Sequence, residues 1–440
     1  MPAHDELRRQ RWGRVLPIVF ITYSLAYLDR SNYSIALPGG MEDDLAITGA
    51  VASLIGAAFF LGYFVLQIPG AIFAERRSVK TLIFWSLLAW GVLASLQGVL
   101  SSAEALIAVR FLLGLVEAAV LPAMVIFLSH WFTKPERGRA NTILILGNPI
   151  TVLWLTAISG FVIEAISWRG MFIVEGLPAI AWAFVFRAMV TDHPRDAAWL
   201  DRDEKEGVER ALAEEQRGLV PMKSYSEALR SRPVVILSVQ YFLWSVGVYG
   251  FVFWLPSIVK AGSGAGIGDT GLISAAPYAL AALLMYLNSR WSDRSGRRTA
   301  FVWPWLAFAA LAFYGSYLLG PDRFWPSYAL LFVAGAAMYA PYGPYFAAIT
   351  EFLRRDVAAP AVGLVNSFGA LGAFAGSYLV GWMNDLTGTT GASFLLLADS
   401  LAAAAVLMWF VRPESRPPAA EPSGRFVRRD QEAPATAEVG

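Results

Sequence analysis

The chain has 440 residues, 56% hydrophobic and 16% charged, with a net charge of +1 and a mean hydropathy of +0.51. Soluble domains carry about 25% charged residues, so this is the composition of a protein that crosses a membrane several times, and its balanced charge leaves no nucleic-acid footprint. The absence of cysteine excludes disulfides, thiolate metal sites and cysteine nucleophiles, and the three histidines, at 4, 130 and 193, are too scattered for a metal cluster.

Arg8, Arg9 and Arg11 precede a long apolar run with no small-residue cleavage site, which reads as a retained first helix and not a signal peptide. A spanning helix needs about 20 apolar residues. Twelve stretches qualify: 14–38, 49–73, 79–99, 104–130, 138–163, 170–189, 233–258, 268–290, 299–319, 325–348, 360–382 and 391–411. Of the 35 Lys and Arg residues, 30 fall on the side of the N-terminal tail and three (Arg169, Lys260, Arg323) on the other. The positive-inside bias therefore places both termini in the cytoplasm. The stretch 1–13 is then a cytoplasmic tail, 14–189 and 233–411 are two six-helix halves, 190–232 is a charged cytoplasmic linker, and 412–440 is a Pro-, Ala- and Glu-rich tail expected to be disordered. Near-equal halves suggest a duplicated transporter body with its site between them.

Helix 1 carries Tyr27-Leu28-Asp29-Arg30-Ser31-Asn32-Tyr33-Ser34. Each lone charge at mid-membrane costs about 2.5–3.5 kcal/mol. Two adjacent charges are expected to be in use; the plainer alternative is a helix-end pair that only neutralises itself. In helix 4, Arg110 and Glu117 lie seven apart, two turns along one face. Left unpaired, these four charges would cost roughly 10–14 kcal/mol, comparable to a whole domain's stability, so pairing or a wet cavity is demanded. Asp399 in helix 12 fits no role.

Two short turns repeat. Between helices 2 and 3 stand Glu75, Arg76, Ser78 and Lys80; between helices 8 and 9 stand Asp293, Arg294, Arg297 and Arg298, with Glu75 and Asp293 218 positions apart. An acid beside bases in a tight turn can clamp helices in one conformation and release them in another, so these are expected gating loops. A generic basic loop explains the bases but not the acids. Adding 218 to Asp29, Arg110 and Glu117 gives Gly247, Tyr328 and Gly335, none of them charged. The C-terminal half offers only neutral cavity candidates: Gln240, Tyr241, Tyr249, Tyr278, Asn288, Tyr342, Tyr345, Asn366 and Ser367. The expected division is ionic, proton-linked chemistry in the first half and hydrogen bonding and shape in the second. The tyrosines also suit interfacial belts or packing. The G-x-G-x-x-G at 266–271 follows no strand and reads as a chance match. Pro122, Pro149, Pro277, Pro341 and Pro344 interrupt helices, and Gly372 and Gly376 form a small-residue packing face.

The paired loops resemble the signature loops of the major facilitator superfamily. Tyr27 to Asn32, Arg110-Phe111-Leu112-Leu113-Gly114-Leu115-Val116-Glu117-Ala118 and Trp168-Arg169-Gly170-Met171-Phe172-Ile173-Val174-Glu175-Gly176 narrow the resemblance to its anion:cation symporter family, which includes bacterial sugar-acid and phthalate-type permeases, sialin and vesicular glutamate transporters. It covers 14–411; Glu75 and Ser78 depart from the superfamily's Asp and Gly but keep charge and small size. It implies an all-α fold of two pseudo-symmetric halves working by alternating access. It also implies substrate- or proton-linked roles at Asp29, Arg30, Arg110 and Glu117, cavity positions at Tyr27, Tyr63 and Asn148, and a substrate-contacting Asn366.

The roles expected are these. Arg30 binds the substrate carboxylate in bidentate fashion, Glu117 carries a coupling proton, and Asp29 is a second carrier alternately paired with Arg110. Gln240 and Asn366 read the rest of the substrate. The chain is expected to be no enzyme, to hold no cofactor or metal, and to act as a monomer in the inner membrane. It is expected to import an organic carboxylate with protons, a sugar acid first. Aromatic or dicarboxylic acids are the alternative, and a drug/proton antiporter is the rival from another class.

Overall fold

The computed structural model describes residues 2–217, 232–352 and 355–411. Among them every regular element is a helix. We number the membrane helices α1 (Pro2–Ala36), α2 (Gly49–Arg76), α3 (Val79–Leu96), α4 (Ala103–Glu117 and Val120–Trp131), α5 and α6 (the two parts of Lys134–Met189), α7 (Arg232–Ser263), α8 (Ile267–Ser295), α9 (Trp303–Leu319), α10 (Phe324–Tyr339 and Tyr342–Phe352), α11 (Arg355–Thr387) and α12 (Gly391–Phe410). The α5–α6 division falls at Ser167, whose φ of +84° reverses the chain.

Among the described residues, nine stretches are long and apolar enough to cross a membrane, with α5 and α6 counted as one. The others are α1, whose Tyr27–Ser34 stretch dilutes its apolar run, and α10, cut at residues 340–341. The twelve-helix expectation therefore holds, and the protein is a multi-pass membrane protein. Local sequence sets the helix starts: Ser78 Oγ accepts the Thr81 N–H at 3.0 Å and Ser102 Oγ accepts the Ala105 N–H at 3.1 Å. Trp85, Phe184, Leu311 and Trp409 stay exposed on α3, α6, α9 and α12, an apolar perimeter that suits lipid.

The two halves meet where α2 packs on α11, α5 on α8 and α1 on α7. We call the face where α1 begins and α12 ends the tail face, and its opposite the far face. Toward the far face the seam is built from glycines. A Cβ on Gly271 would lie 2.5 Å from the Thr156 carbonyl oxygen, one on Gly160 would lie 2.6 Å from that of Ile267, and one on Gly381 would overlap Ser53 Oγ. Gly268 and Gly271 of the G-x-G-x-x-G stretch are thus helix-packing glycines. Asp385 on α11 completes this end: its Oδ2 accepts the Ala50 N–H at 2.7 Å, capping α2 from the other half.

The repeat offset is not constant. The starts of α2 and α8 are 218 apart, but Ala103 and Phe324, which start α4 and α10, are 221 apart. The turn between α8 and α9 is five residues longer than that between α2 and α3 and α8 is one residue longer than α2, while the run from the start of α9 to that of α10 is three residues shorter than its counterpart, which nets to the three-residue shift. The mates of Arg110 and Glu117 therefore shift from Tyr328 and Gly335 to Leu331 and Met338, which are equally uncharged. The Arg202–Arg217 helix is part of the 190–232 linker, and the stretch before it docks on the tail face, where Trp199 stacks on Trp131 with ring centroids 5.5 Å apart. Residues 218–231 and the expected disordered tail from 412 to 440 lie outside the described residues.

Candidate functional site

The polar stretch of α1 stays helical because its hydroxyls bond back to their own helix: Ser31 Oγ donates to the Tyr27 carbonyl at 3.1 Å and Ser34 Oγ to that of Ser31 at 2.6 Å. Asp29, Asn32 and, across on α4, Arg110 and Glu117 are all at most 1% exposed. Close packing brings α4 within reach. A Cβ on Gly114, midway between Arg110 and Glu117, would overlap the Phe59 carbonyl of α2, so glycine there lets α2 press against α4. It also sets the Phe59 ring beside both arginines, 5.4 Å from Arg30 and 5.5 Å from Arg110.

Arg30 Nε donates to Glu117 Oε2 at 3.2 Å, and both side chains are buried. The guanidinium also lies over the rings of Tyr63 at 4.5 Å and Tyr27 at 4.9 Å, contacts worth about 0.5–2 kcal/mol each. Among the described residues its Nη2 has no hydrogen-bond partner. Arg110 Nη1 donates to the main-chain oxygen of Asp29 at 2.9 Å, and its guanidinium covers Tyr33 at 4.7 Å. The expected charge pairing across α1 and α4 is therefore realised as Arg30–Glu117. Arg110 holds the Asp29 backbone in place of its carboxylate, and Asp29 Oδ1 is left without a partner among the described residues.

Asn148 on α5 donates to Tyr27 Oη at 2.6 Å, and Tyr27 Oη lies 3.3 Å from Tyr249 Oη on α7. This chain of polar contacts runs across the two halves. A narrow cleft at the junction is lined by Tyr27, Arg30, Ser31, Ser34, Arg110 and Tyr249, closed by Phe60, Val252, Phe253, Tyr339 and Ser377. Both arginines thus face it, together with hydroxyls and aromatic rings.

Not every residue singled out in the sequence joins this group. Gln240 is fully buried, with neither side-chain polar atom partnered among the described residues. Asn366 is half-buried on α11, beside Ser367, whose Oγ donates to Gln67 on α2 at 2.7 Å. Asn288 does not border the cleft: it donates to the carbonyls of Phe301 and Ala340 and accepts from Trp305 Nε1, tying α8 to α9 and to the break in α10. Tyr241, Tyr342 and Tyr345 form an aromatic cluster with Trp244, the packing alternative. Asp399 is exposed on α12, away from the cleft.

In the turns, Arg298 Nη1 reaches Asp293 Oδ1 at 2.5 Å, and Arg76, Arg294 and Arg297 are exposed. The Lys80 N–H donates to Asp192 Oδ1 at 2.8 Å, and Ser78 Oγ donates to Asp192 Oδ2 at 2.6 Å, an acid the sequence did not single out. The Glu75 side chain lies outside the described residues.

The sequence reading missed a fifth buried charge in the N-terminal half. Glu175 on α6 is 7% exposed, and its Oε1 accepts from Ser159 Oγ at 2.6 Å. It stands inside the predicted sixth helix, so the same membrane cost that marked Asp29 could have marked it.

The Major Facilitator Superfamily model matches residues 19–268 and 258–437. A protein named as a tartrate transporter in Agrobacterium vitis is 28% identical, over 93% of this chain and 91% of its own length. A quinolone resistance transporter of Acinetobacter baumannii is 24% identical over 90% of this chain and 93% of its own, and a hexuronate transporter of Bacillus subtilis (strain 168) is 22% identical over 91% and 94%. Among solved structures, a bacterial homologue of the human lysosomal transporter Spinster superposes with a TM-score of 0.70 at 17% identity, covering 91% of this chain and 95% of that one.

Proposed function

The chain belongs to the Major Facilitator Superfamily and is a transporter, not an enzyme, and on that premise we propose that it is a proton-coupled symporter for a hydroxylated organic carboxylate. Its place is the inner membrane, with the tail face in the cytoplasm, as the bias of 30 Lys and Arg residues to three supports. The observation that carries the reading is Arg30: a buried guanidinium on the cleft wall, with Nη2 unpartnered among the described residues and its Nε on Glu117. A guanidinium matches a carboxylate. An incoming anion competes with Glu117 for Arg30, and Glu117 released from its partner in a dry site takes up a proton. Anion binding and protonation then favour one another.

The hydroxyls of Tyr27, Tyr249, Ser31 and Ser34 around the guanidinium favour a hydroxy acid. Sugar acids come first, and dicarboxylates of the tartrate kind second, since Arg110 also lines the cleft. The relatives named for hexuronate and tartrate support this class and the anion:cation symporter resemblance. With two protons per monoanion the cycle carries positive charge inward, and the membrane potential adds about 2.3 kcal/mol per charge per 100 mV. The relative named for quinolone resistance keeps a second reading in view, a drug/proton antiporter; it predicts efflux where the first predicts uptake.

Proteoliposomes with an alkaline interior, given labelled glucuronate and labelled tartrate, test this. The wild type accumulates one of them above equilibrium; Glu117→Gln loses accumulation by about 10²-fold, the scale for removal of a proton-transfer group, yet still exchanges substrate at equal pH. A wild type that accumulates neither overturns the symport reading. A Glu117→Gln variant that accumulates normally overturns the role of Glu117.

A further inference from the structure

The cleft leaves one buried acid unused. Glu175 sits in the first turns of α6 after the chain reversal at Ser167, toward the far face, and it does not line the cleft. One carboxylate oxygen is held by Ser159 of α5 at 2.6 Å, and the other, Oε2, is buried with no hydrogen-bond partner among the described residues. Asn32, one turn along α1 from Asp29, lies within reach of both the Asp29 and the Glu175 carboxyls without a well-aligned hydrogen bond to either. Asn32 is 1% exposed, and among the described residues neither its Nδ2 nor its Oδ1 finds a partner. A fully buried amide with neither polar atom paired is costly, and so is an acid held in the membrane interior. Placed between two carboxyls, the amide can orient a proton or a bridging water passing from one to the other.

The surroundings isolate this pair. From α3 the residues against this stretch of α6 are Gly91 and Ser95, both uncharged. From α5 comes Ser159, while Glu164 faces Gly268 on α8. Among the described residues, the charged group that acts on Glu175 from α1 is Asp29, whose main-chain oxygen accepts from Arg110 Nη1 on α4 at 2.9 Å. Toward the far face, at the start of α6, Arg169 pairs with Asp44, the two 3.0 Å apart.

We propose that Glu175 is a third proton-carrying carboxylate, which takes a proton from the far face and passes it along Asn32 to Asp29, inside the N-terminal half and apart from the substrate cleft. In the transfer the O–H bond on Glu175 breaks as one forms on Asp29, leaving Glu175 as carboxylate to reload. This rests on the symport reading above.

The test uses the full chain in proteoliposomes, with labelled glucuronate and tartrate as probes. Glu175→Gln lowers accumulation driven by an acid exterior by on the order of 10²-fold and flattens its pH profile, while exchange at equal pH stays within about twofold; Glu175→Asp restores part of the accumulation. Infrared difference spectra of the purified protein between alkaline and acidic buffer, which need neither transport nor substrate, lose one carboxyl band in Glu175→Gln. Normal accumulation in Glu175→Gln, with the wild type coupled, overturns the relay alone. Loss of exchange together with accumulation, or an unchanged infrared spectrum, makes Glu175 a structural residue and also overturns it. A wild type that accumulates neither probe overturns the symport reading and the relay with it.

Discussion

The two six-helix halves share a scaffold but not a chemistry. In the first, two acids and two bases are buried within one α1–α4 contact, with a further acid on α6 beside them. At the mates of Arg110 and Glu117 in the second stand Leu331 and Met338, and the polar groups there are tyrosines and amides largely spent on packing, such as Asn288. The difference teaches that two halves can share a scaffold while ionic chemistry is kept in only one of them. Each buried charge needs a partner, and a removed partner strands the other at about 3–5 kcal/mol. Charges that must pair are more safely placed on neighbouring helices of one half, where relative motion is small, than across a seam that opens.

Breaking the comparison at its charged end gives the largest effect. Arg30→Ala leaves Glu117 without its partner and the anion without its guanidinium; loss of about 2–5 kcal/mol in carboxylate affinity is expected, read by isothermal calorimetry with glucuronate or tartrate. Unchanged anion binding would remove Arg30 from the site, and persistent cation efflux would favour the antiporter. On the neutral side, Tyr249→Phe deletes one hydroxyl at 3.3 Å from Tyr27, and about 0.5–1.5 kcal/mol of affinity is at stake. A loss as large as that of Arg30→Ala would erase the asymmetry between the halves.

The smallest effect lies at the far face. Burial, and then the neighbouring Asp43 and Asp385, push the half-buried Glu42 carboxyl above its usual range. Its neutral form is therefore favoured in the folded protein, so its contribution to stability is present at acidic pH and is lost as pH rises through that raised value. Solvent screening keeps the effect small. Melting curves taken across the carboxylate range should be flatter in Glu42→Gln than in the wild type; identical slopes would contradict this.

Much of this was legible beforehand, for a physical reason. Bilayer thickness writes helix lengths into the sequence as apolar runs, so twelve spans could be counted, and the cost of charge in hydrocarbon singles out Asp29, Arg30, Arg110 and Glu117. What escaped depends on how helices are placed relative to one another. Asp29 and Arg110 looked like natural partners by charge, yet Arg110 reaches the Asp29 carbonyl oxygen. Asn288 looked like a cavity amide and serves as a tie between α8, α9 and α10. A glycine's neighbour across an interface, such as Thr156 against Gly271, leaves no local trace in either stretch.

The glycine seam has a consequence for how sharply the molecule switches. Backbone-to-backbone contacts of this kind rest on dispersion, and a radial gap of about 0.5–1 Å already forfeits a quarter to a half of that attraction. A seam of this sort cannot be opened by degrees. The Asp385 cap on α2 adds a directional hydrogen bond to that seam, so intermediate apertures should be thinly populated and the transition should run nearly all-or-none, with a latch's threshold instead of a spring's graded response.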